Sequence, residues 1–119
     1  MARNMSFALT TEQVRAGTKT VTRRFGWGFL KPGDVVNACV KCMGLKKGES
    51  IEKIRPIRIV STRWEPLDAI TAEDCVREGF PEMTPGEFVA MLTGHYGCAP
   101  DKPVNRIEFE YVEANGHVG

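Results

Sequence analysis

Gly17-Thr18-Lys19-Thr20-Val21-Thr22-Arg23-Arg24 is the stretch on which the reading of this chain turns. The glycine stops whatever helix precedes it, and the β-branched run Thr20-Val21-Thr22 asks for extended backbone. Lys19, Arg23 and Arg24 load that strand with positive charge. An exposed sheet edge accounts for such a strand, since threonine, lysine and arginine are ordinary there. The same residues also pack hydroxyls, an amine and two guanidiniums into residues 19–24, which is the material of a reactive site. On the residues alone both readings stand.

Towards the N-terminus, Phe7-Ala8-Leu9 leads into Thr10-Thr11-Glu12-Gln13. Thr10 and Gln13 have capping-box spacing, which predicts a short helix over 11–16 that Gly17 ends. Towards the C-terminus, aromatic and glycine residues crowd Phe25-Gly26-Trp27-Gly28-Phe29, followed by the turn Lys31-Pro32-Gly33-Asp34. A strand over 35–43, a turn at Lys46-Lys47-Gly48-Glu49 and a long strand over 51–64 come next. In the long strand Ile57 and Ile59 alternate with Arg58 and Val60, one face buried and the other partly so, and Pro56 implies an edge or a bulge. Thr71 starts one helix that ends near Gly79. Thr84-Pro85-Gly86-Glu87 starts another, with threonine as cap, proline at the first position and glutamate at the third. Phe88, Met91 and Leu92 give that second helix a buried face. A closing strand over 104–112 carries Ile107 and Phe109 on one side, and the tail 113–119 is expected to fray. The order β/α-β-β-β-α-α-β predicts an α+β fold, a small β-barrel with short helices on its rim.

The chain has 119 residues and a formal net charge of +1, the composition of one folded domain with no global pull on polyanions. The N-terminus has no apolar core of a secretory signal, and no apolar run is long enough to span a bilayer, so a cytoplasmic protein without a membrane partner is expected. Cys39-Val40-Lys41-Cys42 has zinc-ligand spacing, but Cys75 and Cys98 do not form a second such pair. A strand would also point Cys39 and Cys42 to opposite faces, so buried thiols and no metal are expected.

Gly17-x-Lys19-Thr20-x-Thr22-x-Arg24, followed by Lys31-x-Gly33-Asp34-Val35, resembles the signature of ASCH domains. Ile107-Glu108-Phe109, after a Tyr96-Gly97 loop, is similar to that family's closing strand, and the resemblance covers residues 7–112. It implies a PUA-like barrel and an association with RNA or nucleoside chemistry. Within the family the chain looks most like the small bacterial N4-acetylcytidine amidohydrolases. Lys19 and Thr22 match the Lys-x-x-Thr pair of that group. Setting Ile70-Thr71 against the group's Leu-Thr brings Glu78 onto its glutamate. Tyr96 falls on a tyrosine of the same group.

The implied roles are chemically coherent. Amide hydrolysis needs a nucleophile, a base and a proton for the leaving amine. Thr22 would attack, Lys19 would take its proton if burial or a nearby arginine lowers the amine's pKa, and Glu78 would act as acid or base at N4 of the cytosine. Backbone N–H groups of the 25–28 loop would hold the acyl oxygen. Arg24, Trp27 and Tyr96 are the candidate substrate-binding residues, Trp27 and Tyr96 by stacking on the pyrimidine. Trp64 could also stack, although aromatic side chains in a small core are more often buried. His95 reads as a surface loop residue, and Ser61 and His117 have no triad partners. No cofactor is called for. One geometric condition applies: a regular strand points residues 19 and 22 to opposite faces, so Lys19 must precede the strand or the strand must bulge.

The expected partner is a small-molecule base or nucleoside. The alternative is an RNA-binding module in which Lys19, Arg23 and Arg24 meet phosphates, or a ribonuclease using the same groups.

Overall fold

The computed structural model describes residues 3–41, 48 and 50–112. Among them the strands are β1 (Arg3–Ser6), β2 (Val21–Arg24), β3 (Val35–Cys39), β4 (Lys53–Pro66) and β5 (Pro103–Tyr111). The helices are α1 (Thr11–Ala16), α2 (Ala72–Arg77) and α3 (Pro85–Tyr96), with 3₁₀ turns at Ala8–Thr10 and Leu67–Ala69. The expected turn at 46–49 and the tail 113–119 lie mostly or wholly outside the described residues, as do Cys42 and His117.

The strands form one sheet in the order β1-β3-β4-β5-β2, with β1 parallel to β3 and every other pair antiparallel. The sheet is therefore open: β1 and β2 are its two edges, and the barrel expected from the sequence is a curled half-barrel. Residues 7–20 join one edge to the other, and the sheet curls so that the two edges face each other. Ser6 of β1 and Thr22 of β2 duly line one cavity.

Alternation builds the inner core. Ile57 and Ile59 of β4 and Ile107 and Phe109 of β5 pack with Met5, Phe7, Val14 and Val36. Outside the sheet, Val104 packs with Leu67, Ile70 and Cys75 and with Phe88 and Leu92 of α3. The α3 start is as read: Glu87 N donates to Thr84 Oγ1 at 3.1 Å and Thr84 N to Glu87 Oε1 at 2.9 Å.

Several local expectations need correction. The first strand lies at Arg3–Ser6, and 8–10 form a 3₁₀ turn. Thr10 makes no capping bond, and Gln13 reaches across to Gly79 O at 3.3 Å. A tertiary acceptor has displaced the local box. Pro56, by contrast, fits its expectation: it sits just beyond the last β4–β5 register pair, where β4 pairs with β3 alone, and beside the β3–β4 register shift. α3 runs through Gly94 to Tyr96, so His95 is an exposed residue of a helix's last turn and not of a loop. Trp64 is 53% exposed.

Candidate active site

The geometric condition on Lys19 and Thr22 is met by where β2 begins. The strand starts at Val21, and Lys19 and Thr20 form its approach. Thr20 N donates to Arg77 O at 2.8 Å, and Thr20 O accepts from Phe109 N at 2.9 Å. These bonds tie the approach to the end of α2 and to β5, and the Lys19 side chain turns towards the C-cap of α2. That cap is Glu78, stopped by Gly79 at a φ of 98°.

Lys19 Nζ donates to Glu78 Oε1 at 2.6 Å and to the Glu78 carbonyl at 2.9 Å. Both side chains are buried, at 3% and 4% exposure. Burial pushes the Lys19 ammonium below the ordinary lysine value; the Glu78 carboxylate works against this, and Arg24 and Arg23 work with it.

Arg23 takes the other Glu78 oxygen, Nη1 to Oε2 at 3.1 Å, and its Nη2 reaches Asp74 Oδ2 at 2.6 Å and Glu65 Oε2 at 2.8 Å. In the sheet Arg23 lies directly opposite Arg106 of β5. Two like charges at such positions repel, and Asp74 resolves this by accepting from both. Arg106 Nε donates to Asp74 Oδ2 at 2.6 Å and Nη2 to Oδ1 at 3.0 Å, a bidentate pair. Those bonds, joined by the ones from Arg23, hold the Asp74 carboxyl well below the usual range despite burial. Burial opposes the Arg23 charge, yet its bonds to Asp74, the nearby Glu78 carboxylate and the bond to Glu65 outweigh it and raise its pKa.

Thr22 is 4% exposed, and its Oγ1 accepts from Arg24 Nε at 3.0 Å. Thr22 and Lys19 are not hydrogen-bonded to each other; both line one cavity of about 220 Å³ between the sheet edges. Glu78, Arg23 and Arg24 line it too, with Phe7, Phe88 and Leu92 as apolar wall and Tyr96 and His95 at its α3 side. Of the site residues read from the sequence, Lys19, Thr22, Glu78, Arg24 and Tyr96 are thus together. Trp27 is not: it lines an adjoining groove with Phe29, in a left-handed turn at φ 66° that Asn105 Nδ2 steadies by donating to Trp27 O at 3.1 Å. The 25–28 loop is likewise absent from the cavity wall, and the donor bonded to Thr22 Oγ1 is the Arg24 guanidinium.

Asp74, Arg106 and Glu65 were missed by sequence reasoning. Arg106 sits in the same alternation as Val104, a polar residue on a buried face, and that was the available signal. Among the described residues no His/Cys/Asp/Glu group is arranged to hold a metal ion, and no helix is long and apolar enough to cross a membrane. Cys39 is buried, with its Sγ 3.4 Å from Asn37 O, and Cys75 is buried beneath α3.

No protein-family model and no curated protein matches the chain. Among solved structures it is similar to protein EF3133 from Enterococcus faecalis V583, described under the family model DUF984. That likeness has a TM-score of 0.63 at 17% identity, covering 94% of this chain and 77% of the other. It extends over nearly the whole domain and is a likeness of fold.

Proposed function

We propose that this chain is an ASCH-type amidohydrolase that removes the acyl group from N4-acylated cytosine or cytidine. The observation that carries the reading is that Lys19 and Thr22, close in sequence, and Glu78, 59 residues beyond Lys19, line one partly apolar cavity. The lysine there is buried, with its pKa lowered.

Burial is what gives Lys19 a use as a base. An exposed lysine is protonated at neutral pH and cannot accept a proton, whereas one disfavoured as a cation can. Neutral Nζ takes the Thr22 hydroxyl proton as Oγ1 bonds to the acyl carbon, and the carbonyl electron pair moves to oxygen. Arg24, already on Thr22 Oγ1, is placed to hold the charge that develops there. Arg23 adds a donor: its buried Nε–H has no partner among the described residues. When the intermediate collapses, the C–N4 bond breaks and N4 takes the proton from the Lys19–Glu78 pair. Water then attacks the Thr22 ester and gives its proton back through the same pair. The products are the amine and the carboxylic acid, with threonine restored. Glu78, bonded to both Lys19 and Arg23, fixes the amine's position as well as sharing its proton. Thr22 Oγ1 and Lys19 Nζ line the same cavity without a bond between them, so the proposed step needs them brought within hydrogen-bond reach when substrate binds.

The cavity's size agrees with this substrate. About 220 Å³ is below the roughly 300–1,000 Å³ of pockets for drug-sized ligands, and suits a pyrimidine with its acyl group while the sugar stays at the mouth. The test is incubation of purified protein with N4-acetylcytidine, with cytidine and acetate both quantified. Equal release of the two is expected. Absence of both from folded protein, across acetyl and bulkier acyl groups, would refute the reading and favour RNA binding.

A further inference from the structure

Beside the cavity runs a groove that shares Arg23, Arg24 and Tyr96 with it and continues to Arg3, Phe25 and Phe29. Its lining contains no acidic residue. In a chain with 15 acidic and 16 basic side chains that is a local exception, and most arginines here are already engaged. Arg15, Arg23, Arg58, Arg63, Arg77 and Arg106 each hold a carboxylate. Arg3 does not: no carboxylate among the described residues pairs with it, and its guanidinium lies 4.5 Å over the Phe29 ring. Stacking fixes the plane of the guanidinium and leaves its N–H fork to an incoming oxyanion.

We propose that this groove holds the phosphate of the substrate, so that the preferred substrate is an acylated cytidine nucleotide and not the nucleoside. The inference rests on reading the cavity as a cytosine site. With the base filling the cavity, the sugar lies at the mouth, and the next group outward is its phosphate. Arg24 lines both the cavity and the groove, and Arg3 lines the groove alone. A planar guanidinium fork matches phosphate oxygens in a bidentate contact. Phe25 and Tyr96, which meet edge to face at 5.0 Å, form the wall between this groove and a second one reaching Lys102. A strand extending past the first nucleotide would find that second cation there.

The test measures binding of the unacylated product, so it does not depend on turnover. Affinities of the full chain for cytidine, cytidine 5′-monophosphate and a short single-stranded oligoribonucleotide with a central cytidine are compared at low salt. The wild type should bind the monophosphate about tenfold more tightly than cytidine, the size of one charge-assisted contact at an exposed rim. Arg3→Gln should remove most of that preference. Arg58→Gln, which changes net charge equally but on the exposed Arg58–Glu110 pair, should keep it. An oligonucleotide binding no better than the monophosphate identifies a mononucleotide substrate. Tighter oligonucleotide binding that Lys102→Gln weakens identifies a strand. Equal affinity for cytidine and its monophosphate, or an Arg3→Gln effect no larger than that of Arg58→Gln, overturns the proposal. A phosphate preference without any deacylation would instead refute the amidohydrolase and leave the phosphate site standing.

Discussion

Replacing Asp74 with asparagine should destabilise the protein far more than its place on a short helix suggests. Asp74 is 6% exposed and accepts three bonds, two from Arg106 at 2.6 and 3.0 Å and one from Arg23 at 2.6 Å. The two arginines are direct cross-strand partners, so the substitution leaves two guanidiniums opposed with their shared counter-charge gone. Removing one partner from a buried ionic cluster costs about 3–5 kcal/mol. Domains of this class are stable by only about 5–15 kcal/mol, and each kcal/mol moves the melting temperature by roughly 4 °C at this size. Calorimetry at pH 7 should therefore find Asp74→Asn melting about 12–20 °C below wild type. Glu73→Gln, which breaks the exposed Arg77–Glu73 pair at 3.0 Å, should cost no more than about 0.5 kcal/mol. The pH dependence has a definite sign. Asp74 is depressed in the folded state, so its contribution is complete above the unfolded carboxyl value near 3.9 and is lost as pH falls towards the folded one. The gap between wild type and Asp74→Asn should be constant from pH 7 to 5 and narrow below about pH 4. A loss under about 1 kcal/mol at pH 7 would refute the view that Asp74 balances the two arginines.

Three further outcomes are expected. Gly79→Ala should cost at least about 1–3 kcal/mol in urea denaturation, because φ is 98° and the new Cβ would lie 2.7 Å from Gln13 Cγ. The rate constant kcat/KM should rise with pH through a group below the ordinary lysine value of 10.5, since the proposed base Lys19 would act in its neutral form. Arg24→Gln should move that limb to higher pH, because it removes a cation that lowers the Lys19 pKa, and should lower kcat by freeing Thr22 Oγ1. An unmoved limb in that variant would show that the titrating group is not Lys19.

How far the sequence could be read depended on whether the signal was local. Thr84, Pro85 and Glu87 act within one turn, and their box formed as read. Gly17 stopped α1 with a left-handed φ of 76° for the same reason. Thr10 failed because a distant carbonyl, Gly79 O, competed for Gln13, and nothing local announces that. The small barrel is realised as an open half-barrel, which the sequence could not show because strand order is non-local: β1 pairs with β3 across an intervening helix and strand, which leaves β2 as the far edge. In the site, Lys19, Thr22 and Glu78 were found through a family resemblance, whereas Asp74 and Arg106 needed the register that sets Arg106 against Arg23. Trp27 lines the neighbouring groove and not the cavity, a placement set by a left-handed backbone turn that no local motif announces.

In the proposed reaction Thr22 and Lys19 act together on an N4-acyl group, with Glu78 holding the amine. The most direct measurement is the kcat of wild type, Thr22→Ala, Thr22→Ser, Lys19→Ala and Glu78→Gln on N4-acetylcytidine, each first shown to be folded. Wild type should turn over, Thr22→Ser should keep partial activity, and the other three should lose at least about a hundredfold. Wild-type deacylation that survives in Thr22→Ala, or that Lys19→Ala leaves intact, would contradict the proposed reaction.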